Sequence, residues 1–434
     1  MNLIFISPGF YISILCLSIT FINLSVANAT QWTLQNSISQ AMSTSPELKQ
    51  SSAEIGARNA ELNLSTMWPD PSIELKVDNQ VGLDDGSGDY ALSEITISQD
   101  IPFSRIKYQQ SVAEAYLNSA MHSQSNDTLL LQYRVAKIFY ELQFASAIFE
   151  LAVKRVKLAD KLNTSATENK QDVMVRYLTP LEKMRLNIIQ EKAHQAEAAA
   201  EGNLYETLTE FYKLLGISNN NIVKVPKISP VSTIPELEYL IILQDNHPLL
   251  SSQQQNLQAA TNEIDVARSS VMKDPSISLN RLRENFSSGT ENVYGIMLSI
   301  EIPIHDRKTS SVSKAKYNAS QQRIELTRIK RELQINLNQS YTHLNHVIEQ
   351  VSEYRKKVLK PAGKMLELSE KGFISGELNI LSLVDANNTY FESNEQYLDL
   401  VYQSWIELAK INLHAGKFYN VENSQTDINY LGAQ

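Results

Sequence analysis

The sequence is short of the residues on which most enzymes and disulfide-linked domains depend. Its 434 residues include one cysteine, Cys16, so the chain beyond it forms no disulfide, Cys-ligated zinc site or thiol nucleophile. It contains only 14 glycines and 13 prolines, too few for the loops of an ordinary enzyme of this size. The formal charge of −9 argues against nucleic acid as a partner, because binding nucleic acid requires a basic face.

Charged residues are missing from the start of the chain. Residues 1–46 contain no Lys, Arg, Asp or Glu, and residues 3–24 are mostly apolar. Ala27-Asn28-Ala29 has the small-x-small pattern of a signal cleavage site, although the usual basic start is absent. We interpret residues 1–29 as a cleaved export signal; a transmembrane anchor is the alternative, since residues 10–26 are nearly long enough to span. No later stretch reaches the ~18 apolar residues of a membrane helix.

Motifs of catalysis and of metal binding are also missing. The sequence has no Gly-x-Ser-x-Gly, no phosphate-binding glycine loop and no His-Glu-x-x-His. His343 and His346 share a spacing that places both on one helix face, but no third ligand follows, and a specific site needs three or four. We therefore predict a protein that is not an enzyme, with no catalytic residues, no cofactor and no resident metal.

What the chain does contain is an internal repeat. Ser45-Pro46-Glu47-Leu48 recurs as His247-Pro248-Leu249-Leu250, residues 69–75 recur as residues 273–279, and residues 100–103 recur as residues 301–304. Matches in the same order at a nearly constant spacing indicate a duplicated structural unit. We predict a first repeat over residues 30–225 and a second over residues 226–434.

Each repeat has the same predicted order: a helix, two strands, a very long helix and a further helix. The first helices are expected over residues 34–66 and 236–272. Residues 103–179 and 304–360 contain no Gly or Pro, as expected for very long helices. Their apolar residues recur in alternating steps of four and three, which is typical of left-handed coiled-coil packing. The two series are Leu131, Val135, Ile138, Leu142, Ala145, Phe149, Ala152 and Val156, and Leu326, Ile329, Leu333, Leu337, Leu344, Val347, Val351, Tyr354 and Val358.

The four predicted strands alternate apolar and polar residues. Strands of ~10 residues are long enough to cross a bilayer at a tilt, and a sheet in lipid must close on itself. Four strands are too few for a barrel with a water-filled lumen, whereas three chains provide twelve. Polar residues on the other side of the strands are then candidates for the lumen: Glu74, Lys76, Thr96, Ser98 and Glu301. A solvated coiled-coil protein, the alternative, does not explain the strands.

Local strings give a more specific resemblance. Trp68-Pro69-Asp70-Pro71, Ile101-Pro102-Phe103 and the segments 295–304 and 373–386 resemble the TolC-type outer-membrane efflux family, in the style of its heavy-metal branch of cobalt-zinc-cadmium type. Ser104 departs from the family's usual Gly. The resemblance implies a mainly α fold, with a coiled-coil helical barrel and a transmembrane β part of four strands per chain. It also implies a homotrimer with a 12-stranded barrel in outer-membrane lipid, a periplasmic adaptor and an inner-membrane resistance-nodulation-division pump.

The same resemblance implies site residues. A pore-gate acid carries over to Asp385 in Val384-Asp385-Ala386, whereas a second acidic position of the family is Ser382 here. Two turns are expected to form the periplasmic tips that meet the adaptor, with the candidate residues Tyr177, Leu178, Thr179, Phe373, Ser375 and Gly376. The expected role is a passive duct for metal cations, with drugs or a secreted polypeptide as alternative cargo.

Overall fold

The computed structural model describes residues 32–78, 92–102, 105–167, 179–218, 224–286, 289–302 and 309–420. The predicted signal, the first hairpin loop over residues 82–88, and the tip candidates Tyr177 and Leu178 lie outside the described residues. Within the described ranges, every helix is too short or too polar to serve as a membrane span.

The element order repeats once along the chain. The first repeat contains helices α1 and α2, strands β1 and β2, and helices α3 and α4, with the bounds Leu34–Thr44, Pro46–Ser65, Ser72–Asp78, Leu92–Asp100, Arg105–Thr167 and Pro180–Leu215. The second contains α5, α6, β3, β4 and α7, then a π-helical turn and helices α8 and α9, with the bounds Leu237–Gln244, Pro248–Ser269, Ser276–Phe286, Gly289–Ser299, Thr309–Tyr354, Arg355–Leu359, Lys360–Ile374 and Ile380–Ala415. The predicted fold class, mainly helical with four strands, is confirmed. The exact repeat boundaries stay a prediction.

The prediction of one continuous helix at the start of each repeat is wrong. The first breaks at Ser45, whose hydroxyl accepts a hydrogen bond from the Leu48 amide at 3.3 Å. The second breaks at His247, whose Nδ1 accepts from the Leu249 amide at 3.1 Å. In both cases the next residue is a proline at the first helical position, where its missing N–H costs nothing and its ring prevents continuation of the preceding helix.

The long helices bury the predicted apolar series. Helix α3 extends over 63 residues, and its series is buried from Leu131 to Val156 apart from the partly buried Phe149. In α7 the series is buried from Ile329 to Val351. Val358, expected on the same series, is 37% exposed because it lies in the π-helix Arg355–Leu359, whose wider turn rotates it away from the packed face.

The four strands form one antiparallel sheet in the order β1-β2-β3-β4. Strand β2 of the first repeat pairs with β3 of the second, so the two repeats contribute one hairpin each to a continuous sheet. Strands β1 and β4 are the edges of this sheet and have one unpaired side each in the single chain. Helices α3 and α7 follow the second strand of each hairpin.

The core also joins the two repeats. The largest apolar cluster brings Ile38 of α1, Leu131 of α3 and Phe211 of α4 together with Ala409 of α9. Tyr140 of α3 stacks on Trp405 of α9, with ring centroids 4.7 Å apart. Helices from both halves therefore pack as one bundle, with the sheet at the ends of the long helices.

Candidate pore surfaces and helical tips

The strand register places apolar side chains on one face of the sheet. Ile73 of β1 is opposite Ile97 of β2, which is opposite Leu279 of β3, which in turn is opposite Ile296 of β4. All four side chains are exposed, and Ile296 reaches 80%. Because side chains alternate along a strand, the period-two pattern of the sequence places an apolar row across all four strands, and no described residue covers it.

The opposite face carries a polar network. In the row next to the apolar one, Glu74, Thr96 and Asn280 are opposite one another along β1, β2 and β3. Asn280 donates to Glu94 Oε1 at 3.1 Å, and Thr96 donates to the same oxygen at 3.4 Å. Ser98 and Ser278 share a hydrogen bond of 2.8 Å. The network links the two hairpins on the polar face.

A glycine makes room for this network. Gly295 is opposite Asn280, and a Cβ at this position would overlap Asn280 Oδ1. Any side chain at residue 295 would therefore displace the Asn280 amide from Glu94.

The structure sorts the predicted lumen residues into two groups. Glu74, Lys76, Thr96 and Ser98 all lie on the polar face of the sheet, as their register with β2 and β3 requires. Glu301 lies beyond β4, which ends at Ser299, and it forms an ion pair with Lys273 at 2.6 Å. The placement of Glu301 in a strand is therefore wrong, because β4 stops two residues before it. That the polar face lines a lumen stays a prediction.

Thr179 is the described residue immediately before α4, the helix that follows the long helix α3 in the chain. Thr179 caps α4 in a reciprocal arrangement: its hydroxyl accepts from the Glu182 amide at 3.3 Å, and its own amide donates to Glu182 Oε2 at 2.8 Å. Such a capping box satisfies two amides that the first helical turn leaves unpaired. Thr179 is thus the described residue of the first predicted tip, and it is exposed.

The second predicted tip is the turn between α8 and α9. Gly376 has φ +79°, a conformation that glycine adopts at little cost, and the Leu378 amide donates to the Gly372 carbonyl at 2.9 Å. Ser375 and Gly376 are exposed, whereas Phe373 is partly buried and packs inward. Asn379 then caps α9 by accepting from the Ser382 amide at 3.0 Å.

An apolar cluster joins the helices beneath both tips. Its buried members come from α3, α4, α8 and α9: Leu162, Leu186, Leu366, Ile380, Leu383 and Ala386. The cluster therefore places the start of α4 and the turn between α8 and α9 at one end of the bundle. Asp385 lies on α9 between the buried Leu383 and Ala386, and its own side chain is exposed.

A basic groove beside this cluster was missed from the sequence. It measures about 400 Å³ and lies between α3, α4 and α9, with Arg155, Arg185 and Lys192 in its lining and Glu392 as the one acidic residue among the described residues that line it. Arg155 donates to Asn388 Oδ1 at 3.1 Å and lies over the Phe391 ring at 5.5 Å. Its basic residues come from two helices, so no local string in the sequence indicates them.

Metal-ligating residues do not cluster in the part of the chain that the structure describes. No group of three or more His, Cys, Asp or Glu side chains is arranged to hold a metal there. His343 instead faces α9, with its Nδ1 3.2 Å from Glu407 Oε1.

Comparisons with known proteins agree with this geometry. Residues 242–417 match the model of the family described as outer membrane efflux protein. The chain is 23% identical over 272 residues to the cobalt-zinc-cadmium resistance protein CzcC of Cupriavidus metallidurans, a match that covers 62% of this chain and 65% of CzcC. It is 26% identical over 291 residues to the protein CyaE of Bordetella pertussis, covering 63% of this chain and 60% of CyaE. These matches span less than two thirds of either relative.

Structural similarity covers more of the chain than sequence similarity does. The solved structure of CusC, which forms a transmembrane channel, superposes with a TM-score of 0.73 at 17% identity, and the match covers 90% of this chain and 95% of that chain. The matched family is one of efflux proteins, which agrees with the prediction that the chain is not an enzyme. The predicted resemblance is confirmed for residues 242–417, which match the outer membrane efflux protein family, and the described chain shares its fold with CusC.

Proposed function

We propose that this protein is the outer-membrane channel of a tripartite efflux system and acts as a passive duct. Three copies form a 12-stranded barrel in the outer membrane, and their helices continue it as a tunnel into the periplasm. An adaptor protein and an inner-membrane pump of the resistance-nodulation-division type meet the tunnel at its tips.

One observation supports this proposal: in the single chain the sheet is incomplete in two ways. Its apolar face is exposed along all four strands, and strands β1 and β4 each have an unpaired edge. Lipid covers the exposed apolar face. A ring of copies pairs the free edges, since β4 of one protomer pairs with β1 of the next. With four strands per chain, three copies give a barrel wide enough for a water-filled lumen, whereas two give an interior filled by side chains.

The opposite ends of the structure supply the remaining parts of a duct. The polar face of the sheet, with Glu74, Glu94 and Lys76, lines the lumen. At the far end, Thr179 and the turn Phe373–Gly376 form the tips that meet the adaptor, with Tyr177 and Leu178 as further contacts. Three Asp385 side chains around the threefold axis form an acidic ring at the gate, which attracts cations and repels anions.

The cargo that the comparisons favour is a metal cation. CzcC is named for resistance to cobalt, zinc and cadmium, and this supports the heavy-metal branch. CyaE matches over a similar share of the chain, so a cargo of another kind is the second candidate. Selection between cargoes belongs to the pump, because no described residues form a metal site in the duct.

Cysteine cross-linking tests the closed ring. Cys16 is the only cysteine, and it lies in the predicted leader, so pairs can be introduced without background. A set combining cysteines at Ile73 or Leu75 of β1 with cysteines at Ile296 or Leu298 of β4 is expected to yield covalent trimers in the outer membrane. A matched pair on the inner strands, at Ile97 and Leu279, is expected to cross-link only within one chain. Dimers alone, or no link between chains, would refute the trimeric barrel.

Growth of a deletion strain tests the cargo. We expect sensitivity to salts of zinc, cobalt or cadmium, restored by the wild-type protein and not by a variant that fails to assemble. Sensitivity to drugs or detergents without sensitivity to metals would retain the duct and refute the metal cargo.

A further inference from the structure

Two arginines interrupt the apolar face of the sheet. Arg281 and Arg283 of β3 have the same parity as Ile277 and Leu279, so their side chains belong to the apolar face and not to the polar one. Arg281 is opposite Ile95 on one side and Tyr294 on the other. Both arginines are exposed.

No described strand residue on this face is acidic. Apart from the two arginines, the strand positions of the same parity whose side chains are described are apolar or neutral: Ile73, Leu75, Val77, Ser93, Ile95, Ile97, Gln99, Ile277, Leu279, Thr290, Asn292, Tyr294, Ile296 and Leu298. The carboxylates of the sheet, such as Glu74 and Glu94, lie on the opposite face. Strand β3 is also an inner strand, so the joining of protomers at β1 and β4 does not cover this site.

The neighbours of the arginines form a polar border. Arg281 donates through Nη2 to Asn292 Oδ1 at 3.1 Å, and its guanidinium carbon lies 6.0 Å from the centroid of the Tyr294 ring. Asn292 is directly opposite Arg283. Tyrosine with a polar tip and an apolar ring is typical of the border between hydrocarbon and headgroups.

The position along the strand agrees with such a border. Eight residue steps separate Tyr294 from Ile302. The residues of the same parity along them, Ile296 and Leu298 of β4 and Ile300 and Ile302 just beyond its end, are all exposed. An extended segment of that length spans ~26 Å, or ~20 Å along the barrel axis at the usual strand tilt, close to the height of the apolar band of outer-membrane barrels. A cation facing lipid is destabilising at the midplane of this band and nearly neutral at its border.

We propose that Arg281 and Arg283, together with Asn292 and Tyr294, bind the phosphate groups of an anionic lipid headgroup in the outer leaflet of the membrane. The proposal rests on the proposed function, which places the hairpin ends of the sheet outside. The two guanidinium groups are two residues apart on one strand face, ~7 Å along the strand, so they reach phosphates of a single headgroup. Guanidinium groups bind phosphate through paired hydrogen bonds, which an ammonium group does not reproduce.

Native mass spectrometry of the purified full-length trimer tests the site, with lipid A carrying two phosphates as the probe. The double variant R281Q/R283Q is expected to bind lipid A about 30-fold more weakly than the wild type. R281K/R283K keeps the charge and loses the paired geometry, so a smaller loss is expected. R268Q/K330Q, which removes the same charge from exposed positions on α6 and α7, is expected to bind as the wild type does.

Two further arms separate the possible outcomes. Inorganic phosphate in millimolar excess is expected to leave lipid A bound, and its complete displacement by phosphate would refute a lipid site. Equal binding by the wild type and R281Q/R283Q, or an equal loss in R268Q/K330Q, would also refute it. Conductance in planar bilayers is measured for the same preparations: failure of the wild type to form conducting trimers refutes the proposed function, whereas conducting trimers without selective lipid binding refute only this inference.

Discussion

Lysine substitutions at two neighbouring residues of β2 test which face of the sheet meets lipid. Ile97 lies in the middle of the apolar row between Ile73 and Leu279, and Thr96 lies next to it on the polar face between Glu74 and Asn280. Lysine on the lipid face of a barrel costs ~2–4 kcal/mol near the midplane, and every chain of a trimer carries the change. Ile97→Lys should therefore lower the ratio of assembled to unassembled protein by at least ~30-fold.

The matched control is Thr96→Lys, whose side chain faces the polar side beside two carboxylates. We expect it to change stability by less than ~0.5 kcal/mol and to reduce the preference of the channel for cations. Heat-resistant trimers in outer-membrane fractions measure assembly, and reversal potentials in salt gradients measure selectivity. Normal assembly of Ile97→Lys together with failure of Thr96→Lys would mean that the facing of the sheet is inverted.

Three further changes test the helical end of the molecule. Leu383→Ala removes a side chain that is 1% exposed from the cluster under the tips and should cost ~2–5 kcal/mol in chemical denaturation, whereas Leu381→Ala, at a position that is 55% exposed, should cost little. Gly376→Val forces a branched side chain into φ +79° and should cost at least ~1–2 kcal/mol while leaving membrane insertion intact; loss of insertion would show that this turn is not a tip. Burial lowers the pKa of His247 below its usual 6.5, so the unfolded chain binds a proton first and stability should fall as pH drops below 6.5. His247→Asn keeps a helix cap and should reduce this pH dependence in thermal unfolding; burial also lowers the pKa of His414, which accounts for the part that remains.

The hydrogen bonds of His247 explain why protonation of its ring should destabilise the fold. Its Nε2 lies 3.0 Å from the Leu413 carbonyl, and its Nδ1 accepts from the Leu249 amide, so the neutral ring satisfies both contacts. A proton on Nδ1 removes the acceptor that caps α6. An unchanged pH profile in His247→Asn would contradict this assignment.

The parts of the fold that follow from periodicity were predictable. Alternation of apolar residues predicted the two faces of the sheet, because a strand has no other way to place Ile97 and Thr96 than on opposite sides. The steps of four and three predicted the buried face of α3, since tertiary packing of long helices preserves that spacing.

The parts that depend on a change of periodicity, or on distant contacts, were not predictable. The π-helical turn that exposes Val358 has no distinct residue signature in Arg355–Leu359. The basic groove combines Arg155 with Arg185 and Lys192 of the next helix, and only packing brings them together. The alternation of side chains along β3 was enough to predict which face carries Arg281. Its neighbours on that face, Ile95 and Tyr294, follow only from the strand register, which the sequence does not give.

The unpaired edges of β1 and β4 have a genetic consequence. In the proposed ring of three, each copy pairs with a neighbour on both sides, so one faulty copy inactivates a ring that also contains two sound copies. A cell that makes equal amounts of wild-type protein and a variant that enters the ring but does not conduct should contain only about one fully wild-type ring in eight. Such alleles are expected to be dominant, whereas alleles that prevent a chain from joining the ring are expected to be recessive.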